Sequence, residues 1–275
     1  ILIPGSIRQT RFDDGGFNFL QNTTNLDVSK SFSTVASGLN LGLGAEFRYE
    51  RYSIYEGELA SFENFHKDPL YYPTAGDFLT PASGSQGFPG FTPEDAIKSD
   101  RNNISLYVDA ELNATKEWLM DGAVRFEHYS DFGSVATFKF ATRYKITKDF
   151  NLRGSVSTGF RAPSLQQINF RNSLTSFSGG KLVQSLISRN GSALTQAAGI
   201  PNLKEETSVN GSIGFSWKPI KGLTITADGY MVKVKDRVVL SGLFSAEDAT
   251  LSPAFLAQIP VGVSTVQFFA NAVNT

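Results

Sequence analysis

The side chains that could do chemistry in this 275-residue chain fall into two groups. One is a set of charges spaced by two or multiples of two: Glu46 and Arg48, Asp109 and Glu111, Asp121, Arg125 and Glu127, Lys139 and Arg143, and Arg153. Residues so spaced share one face of an extended strand, and they read as a polar wall rather than as an acid–base pair. The other is a set of rings in one long segment: Phe62, Phe65, Tyr71, Tyr72, Phe78, Phe88 and Phe91, with Phe170, Arg171 and Phe177 further along. Rings and a guanidinium can stack on a ligand. The same rings can equally form a small core that keeps a long loop compact.

Enzyme chemistry does not emerge. The chain has no Cys, which excludes a disulfide scaffold, a thiolate metal site and a Cys nucleophile. With only His66 and His128, a multi-histidine metal site is not expected. A phosphate-binding Gly-rich loop, His-Glu-x-x-His and Gly-x-Ser-x-Gly are all missing from the sequence. The expectation is a protein that is not an enzyme and carries no cofactor. Lys and Arg total 25 against 26 Asp and Glu, a balance that argues against a nucleic-acid partner.

The elements that must position these groups are strands. In 104–114 the even positions are Ile, Leu, Val, Ala, Leu and Ala, while the odd ones are Ser105, Tyr107, Asp109, Glu111 and Asn113. Similar alternation runs through 39–50, 118–129, 136–146 and 150–161, with further strands at 208–217 and 222–239 and weaker ones at 26–34 and 266–275. That makes about nine. Every second connection is tight: 35–38, 115–117, 147–149 and 219–222. The others are long, from Glu56 to Arg101, from Ser164 to Lys204 and from Ser241 to Thr265, with 131–134 the short exception. An antiparallel meander with tight turns at one end and long loops at the other is the plan of an outer-membrane barrel. Strands 39–54 and 222–239 exceed the roughly 9–11 residues that cross a bilayer, so they should project beyond it.

Trp118, Phe150 and Trp217 near the tight turns, and Tyr52, Tyr55, Tyr129 and Phe160 near the loops, suggest two interfacial girdles. Charges at bilayer depth cost several kcal/mol, so the charged face should line an enclosed lumen. Hairpin counting sets Asp121 near Arg143. It also sets Glu111 near Asp121, a like-charge pair that requires a shifted register or a basic group between them. Short helices are predicted near 93–98 after Thr92, near 253–258 after Ser252, and within 181–198. A soluble β-sheet module or adhesin also alternates in this way and remains an alternative, as does a passive pore.

Several segments resemble TonB-dependent outer-membrane receptors: LNLGLGAEFRYERYSIYEGE (39–58), GFPGFTPEDA (87–96), RNNISLYVDAELN (101–113), AVRFEHYSDFGS (123–134), LRGSVSTGFRAPSLQQ (152–167), NLKEETSVNGSIGF (202–215) and DGYMVKVKDRVVLSG (228–242). The most distinctive box is Gly159, Phe160, Arg161, Ala162 and Pro163 followed by Ser164, which in such receptors closes a strand before a long extracellular loop. The resemblance covers residues 26–275 in family order. It implies an all-β, antiparallel transmembrane barrel of the 22-stranded receptor type. Residues 1–275 would be a portion of the barrel domain with about nine strands and no plug domain detected.

The resemblance further implies the outer membrane of a Gram-negative bacterium and active uptake of a scarce solute, with iron chelates such as ferric siderophores first in frequency. The partners it implies are the TonB complex, acting through the plug, an extracellular small-molecule solute and outer-membrane lipid. On this reading the ring set and Arg171 are candidate solute contacts, and the ten alternating charges face the lumen and the plug.

Overall fold

The computed structural model of the chain describes residues 9–63, 85, 88–178, 181–260 and 262–272. Eight strands form the wall: β1 (Gly16–Phe32), β2 (Leu39–Tyr55), β3 (Ile97–Asn113), β4 (Trp118–Tyr129), β5 (Gly133–Lys145), β6 (Phe150–Arg161), β9 (Glu206–Ile220) and β10 (Leu223–Lys235). They pair in the order β1-β2-β3-β4-β5-β6-β9-β10, each antiparallel to its neighbours. The connections after β1, β3, β5 and β9 are tight and lie on one edge, as the sequence spacing predicts. Gly222 makes the last of these turns at φ 88°, a conformation that a side chain disfavours.

Side-chain period then sorts the two faces. The register row Val28–Leu43–Val108–Val124–Phe138 is apolar across five strands. Every member is about half exposed on the outside of the wall. A contiguous apolar surface of this extent marks a membrane or protein contact. Near the tight turns the outer face carries Trp118, Tyr144, Phe150, Phe215 and Trp217. Trp118 meets Tyr144 edge-on at 6.4 Å and donates Nε1–H to Thr142 Oγ1 at 2.9 Å. Phe150 stacks on Phe215 at 5.8 Å. Trp and Tyr in such a band suit a membrane interface, with an apolar body and a polar tip.

The opposite girdle departs from expectation. Tyr52 and Tyr129 are buried on the inner side rather than facing outward. Tyr52 shares its parity with Glu46 and Glu50, and Tyr129 shares its parity with Arg125 and Glu127. Both lie at the loop end of their strands and meet loop residues: Tyr52 packs with Phe91 and Leu165, and Tyr129 stacks on Phe132 at 4.4 Å.

The loops on that side build a second sheet. After β6 come α2 (Leu165–Asn169), β7 (Asn172–Ser178), β8 (Lys181–Ser188) and α3 (Ala193–Ala197). After β10 come β11 (Val238–Leu240), β12 (Phe244–Ser245), α4 (Pro253–Leu256) and β13 (Thr265–Asn271). The sheet order is β11-β13-β8-β7, with β12 also on β13, and β13 runs parallel to β8. Leu186, Leu194, Phe255, Val263, Val266 and Phe268 form its core. Residues 266–271 therefore stitch two loops together and do not form a ninth wall strand.

The long strand expected at 222–239 is broken at Asp236, whose φ of 55° turns β11 away from the wall. Asp tolerates that region better than most residues do. Of the predicted helices, α4 forms with Ser252 capping Phe255 N–H at 3.2 Å. The 181–198 stretch is part strand and part helix. Residues 93–95 form a turn, after which β3 starts, and α1 (Leu59–Phe62) is a single turn following β2.

Candidate functional site

The inner face of the wall is the candidate site. On β2, β3 and β4 the inward rows carry the predicted charges, and four of them, on β2 and β4, bond to one another. Glu46 accepts from Arg48 at 2.7 Å and from Arg125 at 3.1 Å. Arg125 also bonds Glu127 at 2.7 Å, and Glu127 accepts from the Tyr129 hydroxyl at 3.0 Å. Four strand residues thus neutralise each other in a charge-assisted network. Asp109 lies in the next row, between Gly42 and Ala123.

Glu111 does face Asp121 directly, with no register shift. The repulsion is relieved from the flanks. Lys139 donates to Asp121 at 3.0 Å, and the Asn40 amide donates to Glu111 at 3.1 Å. Asp121 Oδ1 is left without a partner among the described residues. Arg143 does not reach Asp121. It sits opposite Leu119 on one side and Arg153 on the other, because the short β4–β5 link sets Asp121 against Ala141. Arg153 is drawn instead to Asp228 on β10, at 2.8 and 2.5 Å. The residue between them in the row is Gly214, where any Cβ would collide with the Asp228 side chain. The same device recurs where Tyr107 donates to Asp27 at 2.7 Å across Gly44. Arg143, Lys145, Asn151, Arg153 and Ser216 line a basic cleft of about 250 Å³ toward the tight-turn edge.

At the loop end, Arg101 is the hub, and sequence spacing gave no sign of it. Its guanidinium is nearly buried and grips Glu50 with Nε at 2.8 Å and Nη2 at 2.5 Å. It also donates to the Pro163 carbonyl at 2.8 Å and reaches Asp131 at 3.4 Å, and it lies over the Tyr129 ring at 5.4 Å. The Gly159–Pro163 box has a mechanical role here. Gly159 and Phe160 complete the pairing with β9, and Arg161 bonds Glu206 at 3.0 Å. Ala162 leads into Pro163, which is fully buried. Ser164 then opens α2 with a capping box, accepting from Gln167 N–H at 3.1 Å. The short helix is held against the wall by Arg101, while Leu165 packs with Tyr52, Ile54 and Phe91.

A second clasp forms at Asp95. Its carboxylate accepts from Thr92 N–H and from the Thr92 hydroxyl, each at 2.8 Å, which closes a turn where a helix was expected. The same carboxylate pairs with Arg171, which also bonds Glu94 at 2.7 Å. Arg189 donates to the carbonyls of Asp95 and Asn169, both at 3.0 Å. Burial lowers the affinity of the Arg189 guanidinium for its proton, and the adjacent Arg171 charge lowers it further. Of the candidate solute contacts, Phe91 is buried in this core and Phe170 packs edge-on to it at 6.4 Å. Phe88 is exposed, and Phe62 ends α1 partly exposed. Arg171 is engaged by the acids of the 92–95 turn. Phe65, Tyr71, Tyr72 and Phe78 lie outside the described residues, and for Phe177 only the backbone, in β7, is described.

Between α2, the β4–β5 link and residues 190–203 lies a cavity of about 360 Å³, lined by Asp100, Asp131, Asn169, Asn190, Gln196 and Asn202 among others. Sequence reasoning missed this cavity and both clasps. Their partners come from segments far apart in the chain, and the register of β2 against β3 could not be counted across the loop after Tyr55.

Comparison with known proteins fits this geometry. A family model described as "TonB dependent receptor-like, beta-barrel" matches residues 4–265. The chain is similar to the vitamin B12 transporter BtuB of Photobacterium profundum, 25% identical over 119 residues, which are 43% of this chain and 15% of that protein. It is also similar to BtuB of Vibrio cholerae, 31% identical over 70 residues, which are 25% of this chain and 11% of that protein. Among solved structures, the siderophore receptor PirA from Pseudomonas aeruginosa superposes with a TM-score of 0.61 at 15% identity, over 93% of this chain and 37% of that one. At that identity the likeness is one of fold. The chain spans 15% or less of the length of these two curated relatives.

Proposed function

The chain belongs to the TonB-dependent receptor β-barrel family, and from that premise we propose that it supplies wall, lumen lining and extracellular loops to an outer-membrane receptor of a Gram-negative bacterium. The receptor takes up a scarce solute with energy delivered through the TonB complex. Residues 1–275 are, on this reading, a portion of the barrel domain, and a plug domain occupies the lumen. The observation that carries the reading is the separation of an apolar outer row such as Val28–Leu43–Val108–Val124–Phe138 from the inner network Arg48–Glu46–Arg125–Glu127.

The solute we assign is a ferric siderophore or similar chelate, a reading supported by the fold shared with a siderophore receptor. A corrinoid is the second reading, favoured by the sequence similarity to two vitamin B12 transporters. Solute contact falls to the ring-rich 62–91 loop, with Phe88 exposed and Phe62 partly exposed, to Phe170, Arg171 and Phe177, and to the 241–265 loop. The basic cleft at Arg143 and Arg153 holds the plug rather than the solute.

The test is uptake of radiolabelled ferric siderophores and of labelled cobalamin by cells that express the full receptor, with and without TonB. Uptake of an iron chelate that disappears without TonB is the expected result. Uptake that persists without TonB would mean a passive pore.

A further inference from the structure

Among the described strands the inner face of the wall has two parts of different chemistry. Along one register row the inward residues run Gly42, Asp109, Ala123 and Lys139, then Ser157, Asn210 and Val232. The adjacent row ends in Ser155, Ser212 and Tyr230, and the one on the other side in Gly159, Ser208 and Val234. These three rows on β6, β9 and β10 carry no charge. They are framed by two closed ion pairs, Arg153–Asp228 below and Arg161–Glu206 above. From Arg153 to Arg161 the strand rises about 26 Å at ~3.3 Å per residue, and the three strands are about 10 Å wide.

We propose that this uncharged window of β6, β9 and β10 is the surface along which the solute passes, while the plug stays anchored to the charged part on β2 to β5 and to the basic cleft at Arg143 and Arg153 below the window. The inference rests on the receptor reading above and deepens it. A passage must engage its cargo strongly enough to admit it and weakly enough to release it. The charged part is unsuited to that: Glu46, Arg48, Arg125 and Glu127 hold each other at 2.7 to 3.1 Å in charge-assisted bonds, and fixed charges such as Asp109 beside them would bind or repel a charged cargo strongly. The window offers exchangeable partners. The Asn210 amide reaches Ser157 at only 3.4 Å and Ser208 at 3.5 Å, and Ser155 and Ser212 share one bond of 2.8 Å. Tyr230 and Val232, opposite Ser212 and Asn210, add an apolar rail beside the hydroxyls. The cargo this chemistry fits presents hydroxyl, amide or carbonyl groups around an apolar or aromatic body.

The test is thiol labelling in the full receptor during TonB-driven uptake, comparing Ser212→Cys with Asp109→Cys. A membrane-impermeant maleimide should label Ser212→Cys at least tenfold faster when the ferric siderophore found in the uptake test and energy are both supplied, while the rate at Asp109→Cys stays within twofold. Equal protection of Ser212→Cys in both states would mean that the plug keeps covering the window, and equal acceleration at both sites would mean that the whole plug leaves. Either result overturns the proposal. Ser212→Trp should cut uptake tenfold or more with solute affinity unchanged, and normal uptake by it would also overturn the proposal. Should Ser212→Trp fail to assemble, the labelling pair decides alone. A native receptor without TonB-dependent uptake of any solute would instead sink the underlying receptor reading.

Discussion

Replacing Arg101 by Met should loosen the loop end of the wall far more than any other single charge removal on β3. The guanidinium is 5% exposed and serves four groups from four segments: Glu50 on β2, the β4–β5 link at Asp131, the Pro163 carbonyl after β6, and the Tyr129 ring on β4. Removing one partner of a buried, hydrogen-bonded pair costs about 3–5 kcal/mol, because the other charge stays buried and unpaired. Taking the low end and about 1.4 kcal/mol per decade, local opening becomes roughly a hundredfold more frequent. The assay is amide hydrogen exchange of the full receptor in detergent. The amides of α2 and of residues 130–133 should exchange about a hundredfold faster, while those of mid-β3 barely change. Adding Glu50→Gln to Arg101→Met should recover part of the loss, since the stranded carboxylate is then gone. Unchanged exchange in α2, or a double variant looser than the single one, would mean that Arg101 does not hold the loop end together.

Arg153→Gln should leave the denaturant unfolding midpoint nearly unchanged, since the Arg153–Asp228 pair is nearly half exposed on both sides and solvent screens it. It should nevertheless loosen the plug, together with Arg143→Gln, without altering solute preference, as read by proteolysis of the plug and by competition binding. Lys139→Met removes the cation beside Asp121, which faces Glu111, and should destabilise the barrel by about 1 kcal/mol, with Asp121→Asn in the same chain restoring it on the same unfolding curve. Gly214→Val forces its side chain into the Arg153–Asp228 bond and should cost about 1–3 kcal/mol, measured as a lower unfolding midpoint. Ser164→Ala deletes the cap of α2 and should cost about 1 kcal/mol, detected as faster exchange confined to Gln166–Ile168.

The wall was legible because its physics is local. Alternation in 104–114 fixes which side of β3 faces out, and the tight turn at 115–117 sets Glu111 against Asp121 without knowledge of the rest of the fold. Asp121 was assigned the wrong cation because the β4–β5 link sets it against Ala141, two positions from Arg143. The loop region was illegible for a different reason. The β8–β13 pair joins residues about eighty apart in parallel, and nothing in either segment marks the other as its partner. Residues 222–239 read as one strand, since alternation is blind to a single left-handed residue such as Asp236. Thr92-Pro93-Glu94-Asp95 carries helix-start chemistry, yet the Asp95 carboxylate turns back onto Thr92 and onto Arg171, a tertiary contact that overrides the local preference. Arg101 was hidden likewise, because its value lies in four distant partners.

The direction of the β3 side chains decides which face of the wall meets lipid. Nitroxide labels placed singly at positions 104 through 109 of the receptor in lipid bilayers report collision with dissolved oxygen, which concentrates in hydrocarbon. Oxygen accessibility should alternate with period two, high at Ile104, Leu106 and Val108 and low at Ser105, Tyr107 and Asp109. An even profile along the six positions, or the opposite phase, would contradict this orientation.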